Sequence, residues 1–168
     1  MKKNYIKIIS FIISIVIIDQ LSKLIIVNTL ELNNALTIIN NFFRFLYIKN
    51  TGAAFGILGG NIFLLVFITL TLIYYLLYEL NKNINNKLYL IAIPLIIGGA
   101  LGNLIDRVFR GYVVDFISFI IFNKEMAIFN IADIFIFIGV VLYIIVLLKD
   151  GIKDGKNSSN KRNGIKTS

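Results

Sequence analysis

IISFIISIVIIDQLSKLIIVNTL, residues 8–30, is an apolar run interrupted by only two charges, Asp19 and Lys23. A membrane-spanning helix needs about 20 mostly apolar residues, because it rises 1.5 Å per residue across roughly 30 Å of hydrocarbon. The isoleucine content would favour a strand in water, but an open strand in lipid leaves its backbone unpaired, so length decides for helix. Three further stretches qualify: 62–80, 88–105 and 128–148. The stretch 88–105 contains Pro94, Gly98, Gly99 and Gly102, and its glycines let another helix approach closely. The chain of 168 residues is 58% hydrophobic and 15% charged, with mean hydropathy +0.84. A soluble domain is about 45–50% apolar and about 25% charged. The fold class expected is therefore an all-α integral membrane protein with four transmembrane helices in one domain, 1–152. A basic, polar tail, 153–168, is expected to be disordered. The N-terminus resembles a secretory signal, basic and then apolar over 8–18. No small-x-small cleavage site follows and Asp19 and Lys23 continue the helix, so it reads as an uncleaved first span.

The loops are unequal, and so is their charge. Lys2, Lys3 and Lys7, then Lys82 and Lys87 in the short turn between spans 2 and 3, then Lys149, Lys153, Lys156, Lys161, Arg162 and Lys166 all fall on one side. The two long loops share Arg44, Lys49, Arg107, Arg110 and Lys124. Excess Lys and Arg marks cytoplasmic segments. Both termini are accordingly expected in the cytoplasm and both long loops outside. The net charge of +8 thus reads as a topology signal whose tail also meets anionic lipid, not as a nucleic-acid surface.

The chain has no Cys and no His. That excludes disulfides, thiolate nucleophiles, Ser-His or Cys-His catalysis and His- or Cys-ligated metals. Hard-cation sites need several clustered oxygen ligands, so no metal and no cofactor is expected. Acids, amides, hydroxyls, Lys and Arg remain for chemistry.

Ionisable residues inside a span are costly and therefore functional candidates. With span 1 running outward from residue 8, Asp19 lies roughly 16–17 Å in and Lys23 about 22 Å. Asn103 lies about 22 Å along span 3, with Asp106 and Arg107 at about 27–29 Å. Asn130 and Asp133 start span 4 from outside, and Asp115 sits in the preceding loop. All of them fall in the outer half of the bilayer or just above it. Each has a plainer reading. Asp19 and Lys23, spaced i, i+4, would neutralise each other. Asn103, Asp106 and Arg107 share a face and would form a salt-bridged helix end. Asp133 would be a first-turn acid favoured by the helix dipole. The loop Asn50-Thr51-Gly52-Ala53-Ala54-Phe55-Gly56 would be an ordinary turn. Their shared depth instead describes one polar site.

Two carboxylates facing one water are the best hydrolytic route left. Close together they cannot both ionise easily, so one proton is shared, and one member takes a proton from water while the other donates to the carbonyl. Asp115 and Asp133 are the candidates. A Ser22–Lys23 dyad is disfavoured because residues i and i+1 on a helix do not face each other. A small proton-coupled transporter using Asp19 is the alternative of another class, and a scaffold a third. Neither needs long outer loops with clustered acids.

Five patches resemble the lipoprotein signal peptidase (signal peptidase II) family: Asp19-Gln20-Leu21-Ser22-Lys23; Asn50-Thr51-Gly52-Ala53-Ala54-Phe55-Gly56; Gly99-Ala100-Leu101-Gly102-Asn103-Leu104-Ile105-Asp106-Arg107; Val113-Val114-Asp115-Phe116; and Phe129-Asn130-Ile131-Ala132-Asp133. They stand in the family's order with no departure at a motif position, from span 1 to span 4. The resemblance implies an intramembrane aspartic peptidase of the bacterial cytoplasmic membrane, cutting prolipoproteins just before a diacylglyceryl-modified cysteine. It implies Asp115 and Asp133 as the catalytic pair. Asn103, Asp106, Arg107 and Asn130 would support site and substrate. Asn50, Gly52, Ala54 and Phe55 would form an outer-loop wall, and Asp19 and Lys23 span 1 support. It further implies a small extracytoplasmic β-cradle and an interfacial segment. The stretch 42–47 suits a strand there, with Phe43, Phe45 and Tyr47 on one face. The partners expected are prolipoproteins and membrane lipids, acting on a monomer.

Overall fold

The computed structural model describes residues 2–52 and 60–165. In chain order the elements are α1 Lys2–Thr29, β1 Ala35–Ile39, β2 Phe43–Asn50, α2 Ile62–Lys82, α3 Tyr89–Arg110, β3 Val113–Ile121, β4 Lys124–Glu125 and α4 Ile131–Ile165. Four helices are long and apolar enough to cross a membrane, one for each expected span. Two boundaries differ from the hydropathy reading. α3 continues beyond 105 to Arg110, carrying Asp106 and Arg107 on the helix. α4 begins at Ile131 rather than 128 and stays helical to Ile165, through 153–165, where composition suggests disorder. Extending a helix already nucleated by the span costs little per residue.

α3 is the centre of the bundle. In its most apolar window 72% is buried, against 22%, 11% and 17% in α1, α2 and α4, which keep apolar faces outward. Small residues set the closest crossing. A Cβ at Gly99 would press on the Ala132 carbonyl of α4, and one at Gly139 of α4 would press on the Ala92 carbonyl of α3. Two glycines on facing helices thus let the backbones of α3 and α4 touch. At one end of the bundle Ile8, Leu76, Leu80, Tyr89, Ile93, Ile97 and Val146 form an apolar core.

At the other end Gly111, at φ +77, ends α3 in the left-handed region and turns the chain into β3. The four strands make one antiparallel order, β1-β2-β3-β4. β2 pairs with β3 from Phe43↔Phe119 to Asn50↔Val113, with a bulge between Phe45 and Ile48. Phe43, Phe45 and Tyr47 share a face as the alternation suggests. With Val114, Phe116 and Ile117 they pack on Ile26 and Val27 of α1, on Leu30 just beyond it, and on Ile131 and Ile134 of α4. The sheet is thereby seated on the helix ends that carry the polar residues.

Candidate active site

Asn130 is the residue around which the site closes. Its side-chain oxygen accepts the Asp133 N–H at 3.1 Å, and Asp133 Oδ2 accepts the Asn130 N–H at 3.2 Å. This reciprocal pair is a capping box, and it satisfies two orphan donors at the start of α4. The Asn130 amide Nδ2 donates to Asp115 Oδ1 at 2.6 Å and to Asn103 Oδ1 at 3.1 Å. Asn103 Nδ2 donates to Asp133 Oδ1 at 2.8 Å, and Asn50 Nδ2 to Asp115 Oδ2 at 2.8 Å. Each carboxylate therefore receives two N–H donors, and Asn130 serves both. Asp115 is buried in β3. Burial pushes its carboxyl up to about 6; the neighbouring Asp133 charge adds to this, while the Asn50 and Asn130 donors and Lys23 oppose it.

Beneath this pair lies a buried ionic knot. Lys23 Nζ donates to Asp19 Oδ2 at 2.8 Å, Asp106 Oδ2 at 3.0 Å and Asn103 Oδ1 at 2.9 Å, so all three ammonium hydrogens have acceptors. Asp19, Lys23 and Asp106 are fully buried. Asp19 Oδ1 also accepts the Ala132 N–H of α4 at 2.9 Å. Asp106 Oδ2 accepts the Val114 N–H of β3 at 3.1 Å, and its other oxygen accepts from Gln20 and pairs with Arg110. One lysine and two carboxylates thus tie α1, α3, α4 and β3 together. The i, i+4 pairing of Asp19 with Lys23 is present as the spacing suggests.

Arg107 departs from the expectation. The plainer reading put it in a salt-bridged helix end, but it donates instead to the Gly52 carbonyl at 3.0 Å and the Asn103 carbonyl at 3.4 Å. Asp106 is already taken by Lys23 and Arg110, on the other side of α3. Gly52 N–H in turn donates to Asn50 Oδ1 at 2.9 Å, so Arg107 and Asn50 together hold the 50–52 turn over Asp115. Ala54 and Phe55 lie outside the described residues. Two site members escaped the sequence reading. Gln20 links Asp19, Asp106 and the Gly102 carbonyl, and Arg110 pairs with Asp106. A mid-span amide beside an acid, and a cation four residues from Asp106, were the signals available.

The two aspartates border different cavities. Asp133 lies on one of about 610 Å³ walled by Phe43, Phe119, Phe129 and Phe137. Asp115 lies on one of about 380 Å³ with Lys49, Asn50, Thr51 and Met126. Among the described residues no three His, Cys, Asp or Glu are grouped to hold a metal ion.

The family model for signal peptidase (SPase) II matches residues 11–149. The chain belongs to the signal peptidase II family. It is 42% identical over 152 residues to the lipoprotein signal peptidase of Bacillus pumilus (strain SAFR-032), covering 89% of this chain and 98% of that one. Against the lipoprotein signal peptidase of Staphylococcus aureus (strain MRSA252) it is 44% identical over 137 residues, 81% of this chain and 84% of the relative. Two solved structures, each described as a bacterial membrane enzyme obtained by the in meso method, superpose closely. The one at 2.3 Å resolution gives a TM-score of 0.80 at 42% identity, covering 86% of this chain and 89% of that chain. The one at 1.9 Å gives 0.77 at 42%, covering 86% and 94%. As a signal peptidase II the chain is a multi-pass membrane peptidase that removes signal peptides from prolipoproteins. Nothing in the signal peptidase II site favours a transporter around Asp19, which is sealed between Lys23 and the Ala132 N–H.

Proposed function

We propose that the chain is an aspartic endopeptidase whose catalytic pair is Asp115 and Asp133, cutting N-terminal to a diacylglyceryl-modified cysteine. The observation that carries this is the shared Asn130. Two carboxylates from separate elements converge on one amide residue in a chain without His or Cys. The ionised member takes a proton from water as the water oxygen bonds to the scissile carbonyl carbon. The protonated member gives its proton to the carbonyl oxygen. Collapse of the tetrahedral intermediate breaks the C–N bond: the aspartate that took the water's proton gives it to the leaving nitrogen, and the other aspartate takes a proton back from a hydroxyl of the intermediate, restoring the one shared proton.

Charge supports the shared proton. The polar cluster holds four carboxylates, Asp19, Asp106, Asp115 and Asp133, and three cations, Lys23, Arg107 and Arg110. One proton on the pair makes the cluster neutral, which is the favoured state in a low-dielectric site. Asn103 and Asn130 orient the carboxylates. Asn50, Gly52 and Arg107 shape the wall over Asp115. Asp19, Lys23 and Asp106 hold the helices. The phenylalanine-walled cavity beside Asp133 suits the acyl chains of the substrate, and the more polar cavity beside Asp115 suits its peptide. The Lys and Arg asymmetry supports cytoplasmic termini and a site near the outer face of the bacterial cytoplasmic membrane. The unit that acts is 1–152, as a monomer among membrane lipids.

The test is cleavage of a diacylglyceryl-cysteine precursor by the reconstituted protein. Asp115→Asn or Asp133→Asn should each lower turnover by about 10²–10⁴-fold or more. The double variant should be little worse, because the two act as one unit. Retained turnover in either single variant removes the aspartic mechanism.

A further inference from the structure

The end of the sheet farthest from the Asn50–Asp115 contact carries apolar side chains that nothing in the described chain covers. Phe122 is 95% exposed, and Ile39, Phe42 and Ile121 are 51%, 46% and 41% exposed. They sit together: Ile121 pairs with Lys124 across a two-residue turn, and the Ile120 N–H donates to the Phe42 carbonyl at 2.8 Å, which sets the two turns side by side.

The backbone makes Phe122 more unusual. Phe122 and Asn123 have φ of +51° and +57°, the geometry of a tight primed hairpin turn. Asn and Gly take that region readily, and Asn41 and Asn123 are used in this way here. A bulky side chain there costs conformational free energy. A turn facing only water would be better served by Asn at 122. An aromatic ring held in an unfavourable conformation and turned away from the protein points to an apolar surrounding beyond the chain.

The position identifies that surrounding. Phe43 and Phe119, just behind the tip, wall one cavity with Ile134 and Phe137 of α4. Phe137 lies six residues into the helix, about 9 Å below its start, and is 69% exposed on the outward face. The tip is therefore continuous with the lipid-facing surface of a spanning helix, at the depth of its first turns. Lys124 stands beside it, where lipid phosphates would lie, while Arg44 is bridged to Glu125.

We infer that Ile39, Phe42, Ile121 and Phe122 form a membrane-interface anchor that inserts into the bilayer leaflet on the sheet's side. The occupant is lipid at the headgroup–acyl boundary, where aromatic rings partition favourably. Because β3 carries both Phe122's turn and Asp115, the anchor would set the level of the site relative to the membrane surface.

The chain has no tryptophan, so Phe122→Trp and Phe42→Trp each create a lone tryptophan, excited selectively over the tyrosines, in the full-length protein. Each is reconstituted in phosphatidylcholine–phosphatidylglycerol vesicles. Lipids brominated near the headgroup end of the acyl chain should quench about half of the emission, as for a group buried ~5–10 Å into the boundary, and acrylamide in the water should quench little. An acrylamide-sensitive, water-like emission from position 122 untouched by brominated lipid overturns the inference. So does a blue shift that grows with protein density without lipid quenching, which would make the tip a contact between proteins.

Discussion

The Asn130 side-chain amide lies 2.6 Å from Asp115, while the same residue caps the helix that begins with Asp133. Its two jobs are separable. Ser caps a helix about as well as Asn but cannot reach Asp115. Asn130→Ser should keep the cap and lose about 1–3 kcal/mol of stability for the acceptor left unpaired at Asp115, yet lower turnover by about 10²-fold through misplacement of the pair. Melting in detergent beside precursor cleavage reads both. Equal losses in the two would make Asn130 a cap and nothing more.

Asp115 gives the protein a pH signature. Its carboxyl titrates at about 6 in the folded chain against an ordinary 3.8. Between those values the folded state binds more protons than the unfolded one, so stability falls as pH rises through the interval. The drop should reach about 3 kcal/mol for a shift of roughly two units, and Asp115→Asn should flatten that limb. Thermal melts of both proteins from pH 4 to 7.5 (~ one unit apart) compare the slopes. Parallel slopes would place the titration elsewhere.

Lys23 satisfies two buried carboxylates and an amide at once. Lys23→Met leaves Asp19 without a cation and should cost about 3–5 kcal/mol. Adding Asp19→Asn removes the stranded charge and should recover part of that loss, a coupling visible in a double-mutant cycle. Asp19→Asn alone should lower yield more than turnover per folded molecule. Additive losses would mean that the pair is not coupled.

Arg107 reaches two carbonyls from a planar fork. Arg107→Lys keeps the charge but loses the planar fork whose two separate nitrogens reach the two carbonyls. Release of the 50–52 turn should lower kcat/KM by about tenfold or more, with normal membrane insertion. Near-normal cleavage would reduce Arg107 to a surface charge.

How far the sequence could be read depended on the range of the interactions. The helices were legible because lipid makes apolar length decisive, and the β2 face because Phe43, Phe45 and Tyr47 alternate. β3 was not recognisable as a strand. Its first six residues are all buried, so no alternation marks it, and its partner β2 lies more than sixty residues earlier. The end of α3 was hidden because charges usually signal a helix leaving the membrane, whereas Asp106 is buried and paired. The residues of the polar site were identifiable by type and depth. Their pairing was only partly so: the i, i+4 spacing pointed from Asp106 to Arg110, but the contacts of Lys23 with Asp106 and of Arg107 with Gly52 join distant segments and only the fold sets them.

The buried knot at Lys23 also bears on how the chain is made. Span 1 enters the membrane while Asn103, Asp106 and Ala132 are still untranslated. A lone Lys or Asp near a helix centre opposes insertion by about 2.5–3.5 kcal/mol. During that interval the only partner available to Lys23 is Asp19, one turn away on the same helix. The shortest-range contact of the finished network is thus also its first, and it shields the nascent span until α3 arrives with acceptors for the remaining two hydrogens of the ammonium.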